Sequence, residues 1–410
     1  MPSTLVEILQ FAGLILWNLF KATWWVIVPF YLFSKVHPLY LRNKRSQYSK
    51  KLDWIVLEVS LPPDVLKTPK AMENVLEGLH GVWSPLTSRE KWTEGVVIDR
   101  FSLEMVGTAG RLHFYIRCKR SQRNFVESKV YSQYSDAAIE EVPDYTADLP
   151  ADVPGESYEV WGAEYTLNRS WVYPIRTYIE FEDLDEDRRM DPISQYAELV
   201  SKMEEGEHMW MQVVISPVLS EVEGKAKSEI DKLVGRDSGT KYVDPLTSIF
   251  NAFGGGGQKK KPEKTQSDMT RMTPGERMNI EKIEIKDSKI KFNTMLRAVY
   301  VARKDVWHGE HLAGLHGYLR QFSGLNSFRP HSGSFPKGSL ILFKKFRNYI
   351  RKRNILAAYK GRYLDFATSP YVLSTEEIAT MYHFPGRVVR APLMPRVPSR
   401  TSEPPSGLPT

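Results

Sequence analysis

The sequence predicts an α+β protein: an N-terminal transmembrane helix followed by two ferredoxin-like or related α+β units. Three observations carry this expectation. Residues Phe11 to Phe33 are almost wholly apolar. Residues 52 to 143 read as strand, helix, strand, strand, helix, strand. Beyond residue 158, a less regular series of strand and helix patterns surrounds a glycine- and lysine-rich break.

The apolar run FAGLILWNLFKATWWVIVPFYLF would form a helix roughly 34 Å long at about 1.5 Å per residue, against a hydrocarbon core of about 30 Å. A transmembrane helix is therefore expected over residues 11–34, after a tail at 1–10. Lys21 near its middle and Pro29 in its second half count against a simple span, although lysine snorkels and membrane helices tolerate proline. The alternative is a helix lying in the interface. Trp17, Trp24 and Trp25 lie deeper than an interfacial belt would place them. Only Glu7 precedes the run, whereas Lys35, Arg42, Lys44, Arg45, Lys50 and Lys51 follow it in a basic juxtamembrane segment at 35–51. The positive-inside rule then places the rest of the chain in the cytoplasm, at the cell inner membrane. A cleaved signal peptide would need a positive leading region, a shorter apolar core and a small-residue cleavage site, and none is present.

About 360 of the 410 residues follow this segment, enough for two or three domains. The single cysteine, Cys118, cannot form an intramolecular disulfide and suits a reducing compartment. Net charge is +7, unevenly spread. No lysine or arginine lies between Lys129 and Arg169, and no acid lies from His311 to Leu364. An acidic middle and a basic end would attract each other or face different partners.

A ferredoxin-like domain is expected over residues 52–150. Trp54–Val59 has strand character, and Pro69 opens a helix that Gly81 stops. Val96–Val106 and Leu112–Cys118 flank Thr108-Ala109-Gly110 as a hairpin. A helix runs from Ser121 to Tyr134, and Ala138–Val142 closes the split βαβ order. A second α+β domain is expected over 151–370. Strands are read at Tyr158–Leu167, Pro174–Glu182, Met209–Ser216 and Thr294–Ala302. Helices are read at Asp191–Met203, Ser220–Val234, Pro274–Lys289 and Glu310–Phe322. A flexible insertion over 236–272 carries FGGGGQKKKPEKTQ. GLHG occurs at Gly78–Gly81 and Gly314–Gly317, a four-residue hint that the second domain copies the first. A C-terminal element at 371–390 opens on the capping box Ser374–Glu377 and ends at His383–Gly386. A proline- and serine-rich tail follows at 391–410.

The sequence has no G-x-x-x-x-G-K-[ST], no G-x-S-x-G and no cysteine pair for zinc. No nucleotide hydrolysis, cofactor or metal is expected, and the chain reads as a non-enzyme. His308, His311 and His316 lie beside Glu310, but His311 and His316 would diverge by about 140° on a helix, so structural roles are expected. Glu140 and Glu141 read as solvated surface. The positive signal is the basic stretch 337–362, where Phe343, Phe346, Tyr349, Tyr359 and Tyr363 alternate with cations. Lys344, Lys345, Arg347, Arg351, Lys352 and Arg353 are the candidates for contact with nucleic acid or anionic lipid. The competing reading packs the aromatics inward and leaves the lysines solvated.

The segments KTPKAMENVLEGLHG, FSLEMVGTAGRLHFYIR, RNFVESKVYSQY, YPIRTYIEFE and LSTEEIATMYHFPG, with PPSGLP near the end, resemble an uncharacterised family of membrane-anchored proteins of candidate-phylum bacteria. In that family a similar region precedes, or is encoded near, a DNA-translocating ATPase of the FtsK–HerA superfamily, like those of type IV secretion and conjugation. The resemblance covers roughly residues 50 to 410. It implies a membrane-anchored scaffold or accessory subunit for a separate ATPase motor, since the chain reaches PPSGLP without a motor module. It also implies partner docking at His383, Phe384 and Pro385. The alternative is a membrane-tethered nucleic-acid-binding protein using the basic stretch.

Overall fold

The computed structural model describes residues 2–62, 67–150, 152–181, 191–218, 224–233, 272–336 and 343–385. The tail at 391–410 and nearly all of the expected insertion at 236–272 lie outside them. The chain divides into two compact units, Met1–Asp53 with Ser84–Ile98, and Trp54–Trp83 with Asp99–Thr410.

The first unit is built on one helix, α1 (Pro2–Lys51), which runs 50 residues, about 75 Å at 1.5 Å per residue. Its central side chains face solvent: Trp25 is 64% exposed, Phe30 74% and Phe33 63%. Among the described residues no helix is long and apolar enough to cross a membrane, so the spanning helix expected over 11–34 is not found. The physical reason is composition. Asn18, Lys21 and Thr23 interrupt the run, and Lys21 Nζ sits 5.4 Å from the Trp17 ring centroid, so its charge stays within the apolar stretch. A π-helical turn at Glu90–Glu94 packs near the end of α1. Its cap, Gly95, has φ 71° and lies against the Lys44 backbone, where a Cβ would come within 2.8 Å. Only glycine fits both constraints.

The second unit is a nine-stranded sheet in the order β4-β1-β3-β2-β6-β7-β5-β8, with β9 also on β7. Its strands are β1 (Trp54–Ser60), β2 (Phe101–Thr108), β3 (Arg111–Lys119), β4 (Ala138–Val142), β5 (Tyr158–Leu167), β6 (Glu207–Pro217), β7 (Lys291–Arg303), β8 (Phe328–Pro330) and β9 (Tyr371–Ser374). Every pairing is antiparallel. The helices are α2 (Pro69–His80), α3 (Arg123–Tyr131), α4 (Ser194–Ser201), α5 (Lys225–Leu233), α6 (Pro274–Ser288), α7 (Glu310–Arg320), α8 (Lys344–Gly361) and α9 (Thr375–Met381).

The first half runs β1-α2-β2-β3-α3-β4 with strand order β4-β1-β3-β2. The second half runs β5-α4-β6-β7-α7-β8 with order β8-β5-β7-β6. These are the same path. The halves meet where β2 pairs antiparallel with β6, Glu104 opposite Gln212, so a rotation of 180° about the sheet normal carries one topology onto the other. The two GLHG segments do not reflect this relation. One ends α2, the first helix of its half, and the other lies in α7, the second helix of its half.

The halves differ at one turn. The β2–β3 hairpin closes over Ala109 (φ 48°) and Gly110 (φ 78°), the left-handed pair that a two-residue hairpin demands. The corresponding β6–β7 connection instead holds α5 and α6. Thr273 and Glu276 form a capping box that starts α6.

Alternation along the strands divides the apolar side chains between two faces. On one face, Leu57, Leu103, Met105, Ile116, Met211, Leu296 and Ala298 meet Met72, Val75, Leu76, Val126, Val130, Tyr196, Val200, Leu315 and Tyr318 from α2, α3, α4 and α7. On the other, Val56, Val106, Tyr115, Val160, Trp210, Val299 and Val301 meet Ile355, Leu356 and Tyr359 of α8. Each such side chain, fully buried, contributes about 1.5–3 kcal/mol. The strand expected at Pro174–Glu182 is instead irregular chain ending in a 3-10 turn at Tyr178–Glu180. There the Ile175 and Tyr178 backbone N–H groups donate to the Glu377 carboxylate and the Thr380 hydroxyl of α9, not to a neighbouring strand.

Candidate anionic-surface interface on the basic helix

Helix α8 is two helices in its environment. In the C-terminal half Ile355, Leu356, Ala358 and Tyr359 are buried against the sheet. It stops at Arg362, in the left-handed conformation with φ 47°, whose backbone N–H returns to the carbonyls of Ala358 and Tyr359. The Arg362 side chain then runs under the helix. Its Nε lies 3.0 Å from Glu104 Oε1 and its Nη1 2.5 Å from Asp144 Oδ2.

Glu104 is fully buried on β2 and accepts from four further donors: Arg362 Nη2 at 3.2 Å, Gln212 Nε2 at 2.9 Å, the Tyr145 hydroxyl at 2.6 Å and the Ser102 hydroxyl at 2.5 Å. Gln212 also donates to the Tyr359 carbonyl of α8 and accepts from Arg297 Nη1. Arg297 Nε donates to Glu164 at 2.8 Å. A hydrogen-bonded chain, Asp144–Arg362–Glu104–Gln212–Arg297–Glu164, in which the neutral Gln212 amide joins two ionic groups, thus crosses the middle of the sheet beneath α8. Burial alone would raise the Glu104 pKa, but the charge and hydrogen bonds of Arg362 outweigh it and hold the carboxyl below its ordinary range. The same partners raise the Arg362 guanidinium against its own desolvation.

The N-terminal half of α8 leaves this seat. Phe343 is 72% exposed, Phe346 64%, and Tyr349 and Ile350 are also exposed. At about 100° per residue, Phe346, Ile350 and Ala357 lie along one outward line, with Arg347 and Arg353 on either side of it. The expectation that the aromatics pack inward holds for Tyr359 and fails for Phe343, Phe346, Tyr349 and Tyr363.

The six cations singled out from the sequence separate into two sets. Lys344, Arg347 and Arg353 carry no ion pair among the described residues. Lys345 carries none either and is exposed beside a groove, whereas Arg351 and Lys352 are engaged. Arg351 donates to the Phe335 carbonyl at 3.1 Å. Lys352 pairs with Glu159 at 2.8 Å. Lys345 and Lys352 line an open groove of about 700 Å³ with Asp152, Glu156 and Glu159. The acidic middle and basic end of the chain therefore do meet, along this flank.

His383 and Phe384, expected at a docking element, lie inside the fold. Both are buried. The His383 ring nitrogens lie 2.8 Å from the Ala379 carbonyl and 3.0 Å from Asp191. Phe384 packs edge-on against Phe114 and Tyr134. Pro385 is half-buried beside them. Within the chain, His383 and Phe384 hold the end of α9 against the core of the helix-covered sheet face.

The histidines of α7 are placed separately. His316 sits edge-on to Trp161, and burial lowers its pKa. His311 Nε2 lies 3.3 Å from Glu207. Among the described residues no three His, Cys, Asp or Glu side chains are grouped to hold a metal ion.

A second buried ionic cluster lies on the helix face, where Lys286 of α6 is 2.9 Å from Glu377 of α9, and Lys289 reaches Glu73 and Glu376. Sequence reasoning missed both buried clusters. One signal was available: in FSLEMVGT, Glu104 stands at a central position of a strand whose neighbours are all apolar or small.

A family model described as a domain of unknown function, DUF8128, matches residues 43–307, a span that holds β1 to β7. No curated protein matches the chain.

Proposed function

We propose that this chain, a member of the DUF8128 family, is a membrane-associated scaffold without catalytic activity of its own. Helix α1 holds it at the cytoplasmic face, and the nine-stranded unit serves as a platform for a separate translocating ATPase. The observation that carries the membrane part is the solvent exposure of Trp17, Phe20, Trp24, Trp25, Phe30, Leu32 and Phe33 on one helix. A contiguous apolar surface of that kind marks an interaction or membrane site. The lysines and arginines that follow, Lys35, Arg42, Lys44 and Arg45, support the cytoplasmic face, whose anionic leaflet attracts such basic segments. The ATPase partner rests on the sequence resemblance to regions found beside FtsK–HerA motors.

Two measurements test the two parts. Full-length protein should float with neutral phosphatidylcholine vesicles in a density gradient, and a Trp24→Glu/Trp25→Glu/Phe30→Glu variant should stay at the bottom. Wild-type protein remaining at the bottom removes the membrane part. Tagged protein purified from gently solubilised native membranes should bring an FtsK–HerA-type ATPase with it. Recovery of no motor removes the ATPase part.

A further inference from the structure

We infer that the exposed N-terminal half of α8 is a second, electrostatically selective lipid contact, which lays Phe343, Phe346 and Ile350 into the headgroup region of an anionic membrane. This rests on the membrane reading above for its setting, but it stands on a different helix and different residues.

The helix has the composition of an interfacial element. Phe346 and Ile350, one turn apart, are 64% and 38% exposed, and Phe343 before them is 72% exposed. Arg347 and Arg353 flank this line, and Lys344 starts the helix on its far side, none of them with an acidic partner among the described residues. An apolar stripe bordered by lysine and arginine is what binds in the plane of a bilayer surface, burying the apolar side while the cations meet lipid phosphates. Nucleic acid fits less well. Lysine and arginine suit its phosphates, and aromatics can stack on unpaired bases, but Ile350 and Ala357 would gain nothing from either.

The seat of the helix supports the same use. Its C-terminal half is fixed by Ile355, Leu356, Tyr359 and Arg362, so the exposed turns are held on a rigid stem. Away from the buried acids at the C-terminal end of α8, Asp152, Glu156 and Glu159 line a groove with its Lys345 and Lys352. Glu159 pairs with Lys352, Lys345 lies beside the acids of the groove, and Arg347 and Arg353, with Lys344 at the start of the helix, remain as the cations that set lipid selectivity.

The experiment places an environment-sensitive fluorophore on full-length protein through Ile350→Cys. Labelling is selective because the native Cys118 is buried and its thiol pKa is pushed up to about 12. Vesicles containing phosphatidylserine should shift the emission to the blue, and neutral phosphatidylcholine vesicles should not. Adding Lys344→Ser, Arg347→Ser and Arg353→Ser should weaken the response roughly a hundredfold in lipid concentration, at about fivefold per cation. Rising salt should weaken it in the unsubstituted protein.

The inference is overturned if the label stays silent while the protein co-floats with anionic vesicles, or if the triple substitution leaves the response unchanged. It is overturned in favour of nucleic acid if duplex DNA, and not vesicles, produces the shift. Failure of the α1 reading looks different: the protein does not float with neutral vesicles, while the label at position 350 still responds to anionic ones.

Discussion

Replacing Arg362 by methionine removes the cation from the middle of the sheet and leaves most of its volume. Glu104 is then a fully buried carboxylate whose remaining donors are Gln212, Tyr145 and Ser102. Removing one partner of a buried ion pair costs about 3–5 kcal/mol, because the other charge remains desolvated. That corresponds to a fall in Tm on the order of 10 °C for a unit of this size.

The pH dependence gives the sharper test. In the wild type the Glu104 pKa is depressed, so its contribution is fully present above about pH 4 and is lost as the pH falls through the folded-state value. Without Arg362, burial dominates and raises that pKa, and neutralising the carboxyl relieves the variant. The gap between wild type and Arg362→Met should therefore be widest near neutrality and narrow on acidification. A Glu104→Gln/Arg362→Met double variant, which leaves no charge on that strand, should recover more than half of the loss. Urea denaturation followed by far-ultraviolet ellipticity at several pH values measures all of this. A deficit below about 1 kcal/mol at pH 7, or one that does not change with pH, would refute the assignment of this hydrogen-bonded chain as the seat of α8.

Three further outcomes follow from packing and burial. Gly107→Ala should cost about 1–3 kcal/mol by the same denaturation assay, because its Cβ would come within 2.5 Å of Val200 Cγ2, where α4 rests on β2. Lys286→Met should cost about 3–5 kcal/mol, since Glu377 beside it is buried on α9; a loss no larger than that of an exposed lysine would place this pair outside the core. Cys118 should resist a thiol reagent in folded protein and react in parallel with unfolding, because its thiol pKa is pushed up to about 12; fast labelling at neutral pH under native conditions would contradict its burial on β3.

Local signals made the first half of the sheet legible. Pro69 and Gly81 bracket α2, Thr108-Ala109-Gly110 marks the hairpin, and the alternation of RLHFYIRCK identifies β3. The capping box at Ser374–Glu377 located one helix start, and the structure adds a second box at Thr273–Glu276. What was not legible depends on distant partners. Strand β8 has three residues and β9 four, and such short strands exist only because β5 and β7 offer free backbone groups. PIRTYIE has strand composition, but its backbone N–H groups are taken by α9. The union of both halves in one sheet depends on the β2–β6 register, which no window of sequence contains. For the candidate interface, sequence correctly drew attention to α8. It could not separate Arg351 and Lys352, which are engaged by Phe335 and Glu159, from the outward Arg347 and Arg353.

Joining the halves through β2 and β6 also decides how the sheet ends. Either half alone would present a long central strand, eight residues in β2 or eleven in β6, with an open row of amides and carbonyls ready to recruit another chain. In the joined sheet those rows face each other, and the outermost strands are β4, with five residues, and β8, with three. Both are poor templates. β4 carries Glu140 and Glu141 side by side, with Arg120 and Arg123 drawn to Glu141, and β8 ends at Pro330, which has no amide proton to offer. The acidic pair that reads in the sequence as plain surface thus lies on a rim that discourages edge-to-edge self-association.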